Sequence, residues 1–356
     1  MEKQKAIVIT NGMLDTMLAK TAHGLLRGTA RFDILALIDY KHAGRDAGEV
    51  MDGRHRNVPV FASVSDYFAN GGEQPAWCII GVALPGGKLP DDFRGELKIA
   101  MQHKCSIVCG LHTFLSEEPE FIQLAAQHGV QLFDVRKPRP RTELKFWSGD
   151  IYKVKIPRIA VLGTDCAIGK RTTCRFLMEM CQRNSIYAEM IYTGQTGWMQ
   201  GYRHGFIFDS TVNDFIGGEV ERVIVECAEQ SKPDLILIEG QSALRNPSGP
   251  CGAEFLLSGN TKDVILHHAP GREFYEGTEA IEFRILPIES EIELIKMYGA
   301  EVIAVTLNNE NKTTAELKTY RDELQQKLGI PVVLPLEEGV DGLLPVVQDF
   351  MKRSSN

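Results

Sequence analysis

Four short stretches hold the residues whose types and spacing could do chemistry. The first is Gly163-Thr164-Asp165-Cys166-Ala167-Ile168-Gly169-Lys170-Arg171-Thr172-Thr173, which follows an apolar run at 159–162. An apolar run ending in glycine, then a loop, then Gly-Lys and two threonines opening a helix, aims backbone N–H groups and a helix N-terminus at one point. That is the chemistry of phosphate binding, and Lys170 adds a flexible positive charge. Phe176, Leu177 and Met180 continue at helical spacing. The usual phosphate-loop pattern has four residues between its first glycine and Gly-Lys, with Ser or Thr after the lysine. Here five intervene, and Arg171 separates Lys170 from Thr172. The candidate phosphate ligands are therefore Gly163, Thr164, Asp165, Gly169, Lys170, Arg171, Thr172 and Thr173 of a variant loop.

The second stretch, Thr193-Gly194-Gln195-Thr196-Gly197-Trp198, follows a strand-like run at 186–192. Two glycines around Gln195 and Thr196, straight after a strand, are expected to place those side chains beside the phosphate loop if the sheet is parallel, with a glycine-rich surface turn as the alternative. The third is the apolar run 235–238 ending in Glu239-Gly240-Gln241-Ser242, where an acid at a strand end can hold a metal or accept a proton. The fourth is 264–266 ending in His267-His268 and leading to Ala269-Pro270-Gly271-Arg272. Strands of one parallel sheet deliver their C-terminal ends to one edge. Gly163, Thr193, Glu239, His267 and His268 are therefore expected to converge.

The elements that must position these groups read as alternating strands and helices. Strands are expected at 5–10, 32–38, 58–61, 77–81, 105–109 and 131–133, with helices at 13–26, 91–102 and 117–128 and one capped by Ser63 with Asp66. This is a Rossmann-like first half. Its first turn, Thr10-Asn11-Gly12-Met13, lacks a glycine-rich dinucleotide fingerprint. Asp39, at the end of the second strand, reads either as a ribose ligand or as a plain strand-end residue. The proline-rich basic run 135–141 reads as a linker, with Arg136, Lys137, Arg139 and Arg141 lining a ligand cleft as the alternative. The domains are thus expected at 1–135 and 147–356, with a linker at 136–146. In the second, Ser290 with Glu293 and Thr313 with Glu316 read as capping boxes, and Gly329 as a helix stop. Gly217-Gly218 sits near the start of a helix opening at Asp214, where glycine is costly unless a ligand or another backbone approaches, or the helix start is frayed. The fold class is α/β, a Rossmann-like domain followed by a parallel-sheet domain with a phosphate loop.

Composition narrows the function classes. With 356 residues, 44% hydrophobic and 24% charged, the chain is expected to be a soluble two-domain protein. A net charge of −8 argues against general nucleic-acid binding. No apolar run approaches the ~20 residues that span a membrane, and no signal peptide is read at the start. A cytoplasmic location and no membrane partner are expected. The eight cysteines show no metal spacing and no Cys-x-x-Cys. They read as buried thiols, except Cys166 within the loop, which reads as a reactive thiol or, more simply, a small loop residue.

The loop resembles that of dethiobiotin synthetase, which also begins Gly-Thr-Asp, has five residues before Gly-Lys, and is followed by a similar Glu-Gly. In that family the residue after the lysine is the threonine that meets magnesium; Arg171 stands there in this chain. Residues 57–133 resemble, more loosely, the CoA-binding domain of succinyl-CoA synthetase. The motifs 163–173, 192–198, 238–242 and 268–272 together resemble the D-glutamate N-acetyltransferase family. That family was long catalogued as a domain of unknown function and often labelled an NAD-dependent epimerase. The resemblance implies acetyl transfer from acetyl-CoA to a D-amino acid, D-glutamate foremost. Glu239 and His268 are then candidates for the base, and Gln195, Thr196, Arg245 and Arg272 candidates for substrate binding. A homo-oligomer acting on a small molecule is expected, with the metal left unassigned. The alternatives are an ATP- and magnesium-dependent ligase or kinase and a nucleotide-binding switch.

Overall fold

The computed structural model describes residues 2–354, and in it the chain forms two compact units. The first comprises residues 1–138 with the segment 195–202; the second comprises 139–194 and 203–356.

Six strands build the first unit: β1 (Gln4–Ile9), β2 (Phe32–Ile38), β3 (Val60–Phe61), β4 (Trp77–Ile80), β5 (Ser106–Cys109) and β6 (Leu132–Asp134). They lie in the order β3-β2-β1-β4-β5-β6, all neighbours parallel. This is the doubly wound order of a Rossmann-like fold. Ala6, Ile7, Val8 and Ile9 are all fully buried, as expected of a central parallel strand covered on both faces. Asp39 is fully buried. Its carboxylate accepts from the Thr10 hydroxyl at 2.7 Å, the Gly12 amide at 2.8 Å, the Leu14 amide at 3.0 Å and the Lys41 amide at 3.2 Å, and pairs with His42 Nδ1 at 2.8 Å. Burial pushes its pKa up, but the Thr10 and His42 hydrogen bonds and the two amides outweigh that and hold it below the usual value. Both oxygens are spent on the strand-end turns, so Asp39 is the plain strand-end residue.

Residues 195–200, for which a glycine-rich turn is the alternative reading, form a short helix, Gln195–Gln200, that belongs to the first unit. There Arg136 Nη2 donates to Gln195 Oε1 at 2.9 Å, the Thr196 and Thr21 hydroxyls lie 3.4 Å apart, and Gln200 donates to the Gly24 carbonyl. The linker reading fails for Arg136, which is buried in the same unit and donates to the Gly110 carbonyl at 2.7 Å.

Seven strands build the second unit: β7 (Arg158–Gly163), β8 (Ala188–Tyr192), β9 (His204–Gly205), β10 (Leu235–Glu239), β11 (Asp263–His268), β12 (Glu301–Leu307) and β13 (Val332–Val333). Their order is β13-β12-β11-β7-β10-β8-β9, again parallel throughout. From β7 the chain runs to one side of the sheet, then returns and crosses to β11 on the other. The C-terminal edge beside β7 is therefore the switch point, where ligands of open α/β sheets bind. The helix Lys170–Arg183 buries Thr173, Cys174, Leu177, Met180 and Cys181, a stripe at three- and four-residue spacing.

The helix expected to open at Asp214 runs from Ile216 to Gln230. A Cβ on Gly218 would lie 1.9 Å from the Lys145 carbonyl oxygen, so the costly glycine is explained by another backbone, that of 145–146, crossing its face. Thr313 and Glu316 form the expected capping box, and Gly329 ends that helix in the left-handed region at φ 68°. Ser290 is not a cap. The helix Ile288–Met297 starts behind Pro287 without a side-chain cap, and the Ser290 hydroxyl instead receives Arg245.

Candidate functional site

Register sets the site. His267 lies level with Gly163, and Glu239 with Val161. The ends of β7, β8, β10 and β11 therefore meet at one edge, as expected from the sequence. The Thr193 amide donates to Glu239 Oε2 at 3.1 Å, and its hydroxyl to the Glu239 carbonyl at 2.8 Å. The Thr164 amide donates to the His267 carbonyl at 3.0 Å.

The loop between β7 and its helix is held from behind. Asp165 is fully buried, and its carboxylate receives Asn246 Nδ2 at 2.8 Å, Arg272 Nη1 at 2.9 Å and the Glu276 amide at 2.8 Å. Arg272 Nη1 also reaches the Cys166 carbonyl at 2.8 Å, and the guanidinium pairs with Glu310. The Thr164 hydroxyl meets His268 Nδ1 at 2.9 Å, and the Thr173 hydroxyl meets His267 Nδ1 at 3.2 Å. His267 Nε2 must donate to the Ile168 carbonyl, 2.6 Å away, which makes Nδ1 the acceptor for the hydroxyls of Thr173 and Thr306. Burial drives the pKa of His267 down to about 3 and that of His268 down to about 4, so both rings are neutral near pH 7. Asn308 Nδ2 adds a second donor to the Ile168 carbonyl at 2.6 Å.

The side chains of Thr164, Asp165 and Thr173 thus bond back into the fold and hold the loop's shape. Among the described residues, the amides of 166–172 make no backbone hydrogen bond outside the helix. Ala167 at φ 54° and Gly169 at φ 116° turn the loop through the left-handed region. The first turn of a helix leaves its N–H groups without partners, and here those groups can close on a phosphate.

Lys170 lies within this arrangement. Its ammonium donates to the Asp165 carbonyl at 2.6 Å and the Ser242 carbonyl at 2.7 Å. Burial holds its pKa below the usual lysine value. A Cβ on Gly163 would lie 2.9 Å from both Lys170 Cδ and Ile168 Cδ1, so the glycine that ends β7 leaves the room the lysine needs. Glu239 is 4% exposed. Burial raises its pKa against the opposing pull of Arg171, the Thr193 amide and Lys170. Arg171 Nη1 lies 3.9 Å from Glu239 Oε1. Thr172 is half-buried in the first turn of the same helix. The Cys166 thiol donates to the Ser242 hydroxyl at 3.2 Å, and burial raises its pKa, which opposes a thiolate at this position.

The residues expected to hold substrate all have partners within the protein. Arg245 Nε pairs with Glu291 Oε2 at 2.6 Å, and its Nη2 donates to Ser290 at 2.9 Å. Arg272 is spent on Asp165, the Cys166 carbonyl and Glu310. Gln195 and Thr196 are bonded within the first unit. The site residues that sequence reasoning missed are Ser242, Asn246, Thr306 and Asn308. Ser242 was legible as the end of the Glu-Gly-Gln-Ser run, but its φ of 40° and the use of its carbonyl were not.

Two family models match the chain. A domain of unknown function described as a P-loop domain, DUF1611_C, matches residues 145–344, and a Rossmann-like one, DUF1611_N, matches residues 40–138. A D-glutamate N-acetyltransferase from a Pseudoalteromonas species is 29% identical over 271 residues, covering 75% of this chain and 79% of that protein. One from Tritonibacter scottomollicae is 27% identical over 271 residues, with the same 75% and 79% coverage. A crystal structure of a DUF1611 family protein from Anabaena variabilis matches with a TM-score of 0.87 at 27% identity, covering 99% of this chain and 100% of that one.

Proposed function

The chain belongs to the DUF1611 family, and from that premise we propose that it transfers an acetyl group from acetyl-CoA to the amine of a D-amino acid, D-glutamate first among them. The names of the two relatives support the reaction class and the substrate. The observation that carries the chemistry is the buried carboxyl of Glu239, with its raised pKa, beside a loop whose amides at 166–172 make no backbone hydrogen bond outside the helix among the described residues. The loop fits a CoA phosphate: the amides of 166–172 supply donors, and Lys170 and Arg171 supply charge.

Acyl transfer to an ammonium needs a base first. Glu239 is that base: a carboxylate raised toward neutrality accepts a proton more readily than an ordinary one. His268 is the weaker candidate, because its pKa of about 4 leaves little proton affinity and its Nδ1 is tied to Thr164. Once the amine is free, its lone pair attacks the thioester carbonyl. The C–S bond breaks, and the thiolate leaves with a proton to become free CoA. The test is to mix the purified protein with acetyl-CoA and D- or L-glutamate and follow free thiol. Thiol release that depends on D-glutamate supports the reading. No such release, with magnesium-dependent ADP formation from ATP instead, would point to the ligase or kinase class.

A further inference from the structure

We propose that Arg171 is a built-in cation that takes the place of the divalent metal usually carried by a phosphate loop, so that this site binds phosphate esters without magnesium. The inference rests on the phosphate-binding reading of the loop. In phosphate loops generally, the residue after the lysine is a Ser or Thr whose hydroxyl holds magnesium, and an acid from a nearby strand end completes the metal's shell. Both places are occupied here, but by a self-sufficient pair. Arg171 follows Lys170 in the first turn of its helix, and its Nη1 lies 3.9 Å from Oε1 of Glu239, the acid ending β10.

Charge balance points the same way. Asp165, the acid within the loop, faces backward onto Arg272, Asn246 and the Glu276 amide, which leaves it no part in a metal shell. Lys170 and Arg171 therefore face Glu239 as two cations against one carboxylate. A divalent ion added to that set would meet two positive groups and share a single anion with them. A phosphate or pyrophosphate would meet matching charge. The geometry favours the second outcome: Glu239 is nearly buried, whereas the Arg171 side chain is 22% exposed and its guanidinium has further N–H donors to fork onto phosphate oxygens.

The test is calorimetric binding of coenzyme A and, separately, of ADP, each in EDTA and in magnesium. The proteins are the parent, Arg171→Thr and Arg171→Lys, each checked for folding by thermal melting. For whichever ligand binds, the parent is expected to show the same Kd in both buffers. Arg171→Thr should weaken binding in EDTA by about ten- to a hundredfold, the loss of a charged hydrogen bond. Arg171→Lys, which keeps the charge, should retain metal-independent binding. If the parent's affinity rises tenfold or more with magnesium, or Arg171→Thr binds in EDTA as the parent does, the inference is overturned. Failure of both ligands to bind the parent in either buffer would instead remove the phosphate-loop reading itself, and this inference with it. The choice between CoA and ADP tells which phosphate ester the site takes.

Discussion

Replacing Asp165 by asparagine changes one oxygen to an amide nitrogen and little else in shape. The carboxylate accepts three buried donors: Asn246 on Oδ1, and Arg272 and the Glu276 amide on Oδ2. An amide has one acceptor oxygen and two donor hydrogens. If its oxygen stays on the Arg272 side, the new NH2 faces the Asn246 NH2. Asn246 cannot easily flip to accept, because its own oxygen already takes the Ser248 amide at 2.9 Å and the Ser248 hydroxyl at 2.7 Å. The opposite flip sets the NH2 against both Arg272 and the Glu276 amide, which is worse. The better arrangement still loses one buried hydrogen bond, worth about 1–3 kcal/mol, and the ionic partner of Arg272. Arg272 keeps Glu310 and the Cys166 carbonyl, which limits the second loss. The sum is about 2–5 kcal/mol, or a fall in melting temperature on the order of 10 °C for a domain of this size. Urea and thermal unfolding of Asp165→Asn, followed by near-UV signal, read this directly. A midpoint equal to the parent's would refute the inward-facing Asp165 and return its carboxylate to the ligand.

Glu239→Gln should lower D-glutamate-dependent thiol release by about 10²–10⁴ while leaving phosphate-ester binding in place. In the parent, turnover should be lost as pH falls through Glu239's raised pKa, above the ordinary carboxylate range, and that limb should disappear in the variant. Arg245→Ala should cost about 2 kcal/mol of stability by leaving Glu291 buried without its partner, with KM for the amino acid unchanged; a raised KM would restore Arg245 to the substrate site. Burial holds the folded pKa values of His267 and His268 below the ordinary histidine value of 6.5, at about 3 and about 4. The unfolded chain therefore binds more protons between those limits, and stability should fall as pH drops below about 6.5. His267→Gln should flatten that dependence, and an unchanged slope would refute the neutral, buried ring.

Much of the fold was legible because its signals are local. Apolar runs of three or four residues leading into Gly163, Glu239 and His267 mark buried parallel strands, and Thr313 with Glu316 marks a helix start within one turn. The helix at 195–200 is hidden for the same reason: two glycines a few residues apart look like a turn, while the partners of Gln195 and Thr196, Arg136 and Thr21, lie far away in sequence. Gly218 announced a close approach, but the approaching backbone at 145–146 could be found only in space.

The candidate site divides along the same line. Residue order alone determined that Gly163, Lys170, Glu239 and the two histidines share one edge, because parallel strands with right-handed crossovers must bring their ends together. Only the tertiary structure decided which polar groups remain for a ligand. Arg245, Arg272, Asp165 and the threonines look free in sequence. Arg245, Arg272, Asp165, Thr164 and Thr173 are each taken up by partners tens to about a hundred residues away, because a buried charge or hydroxyl must be satisfied by whatever the folded chain sets within about 3 Å of it.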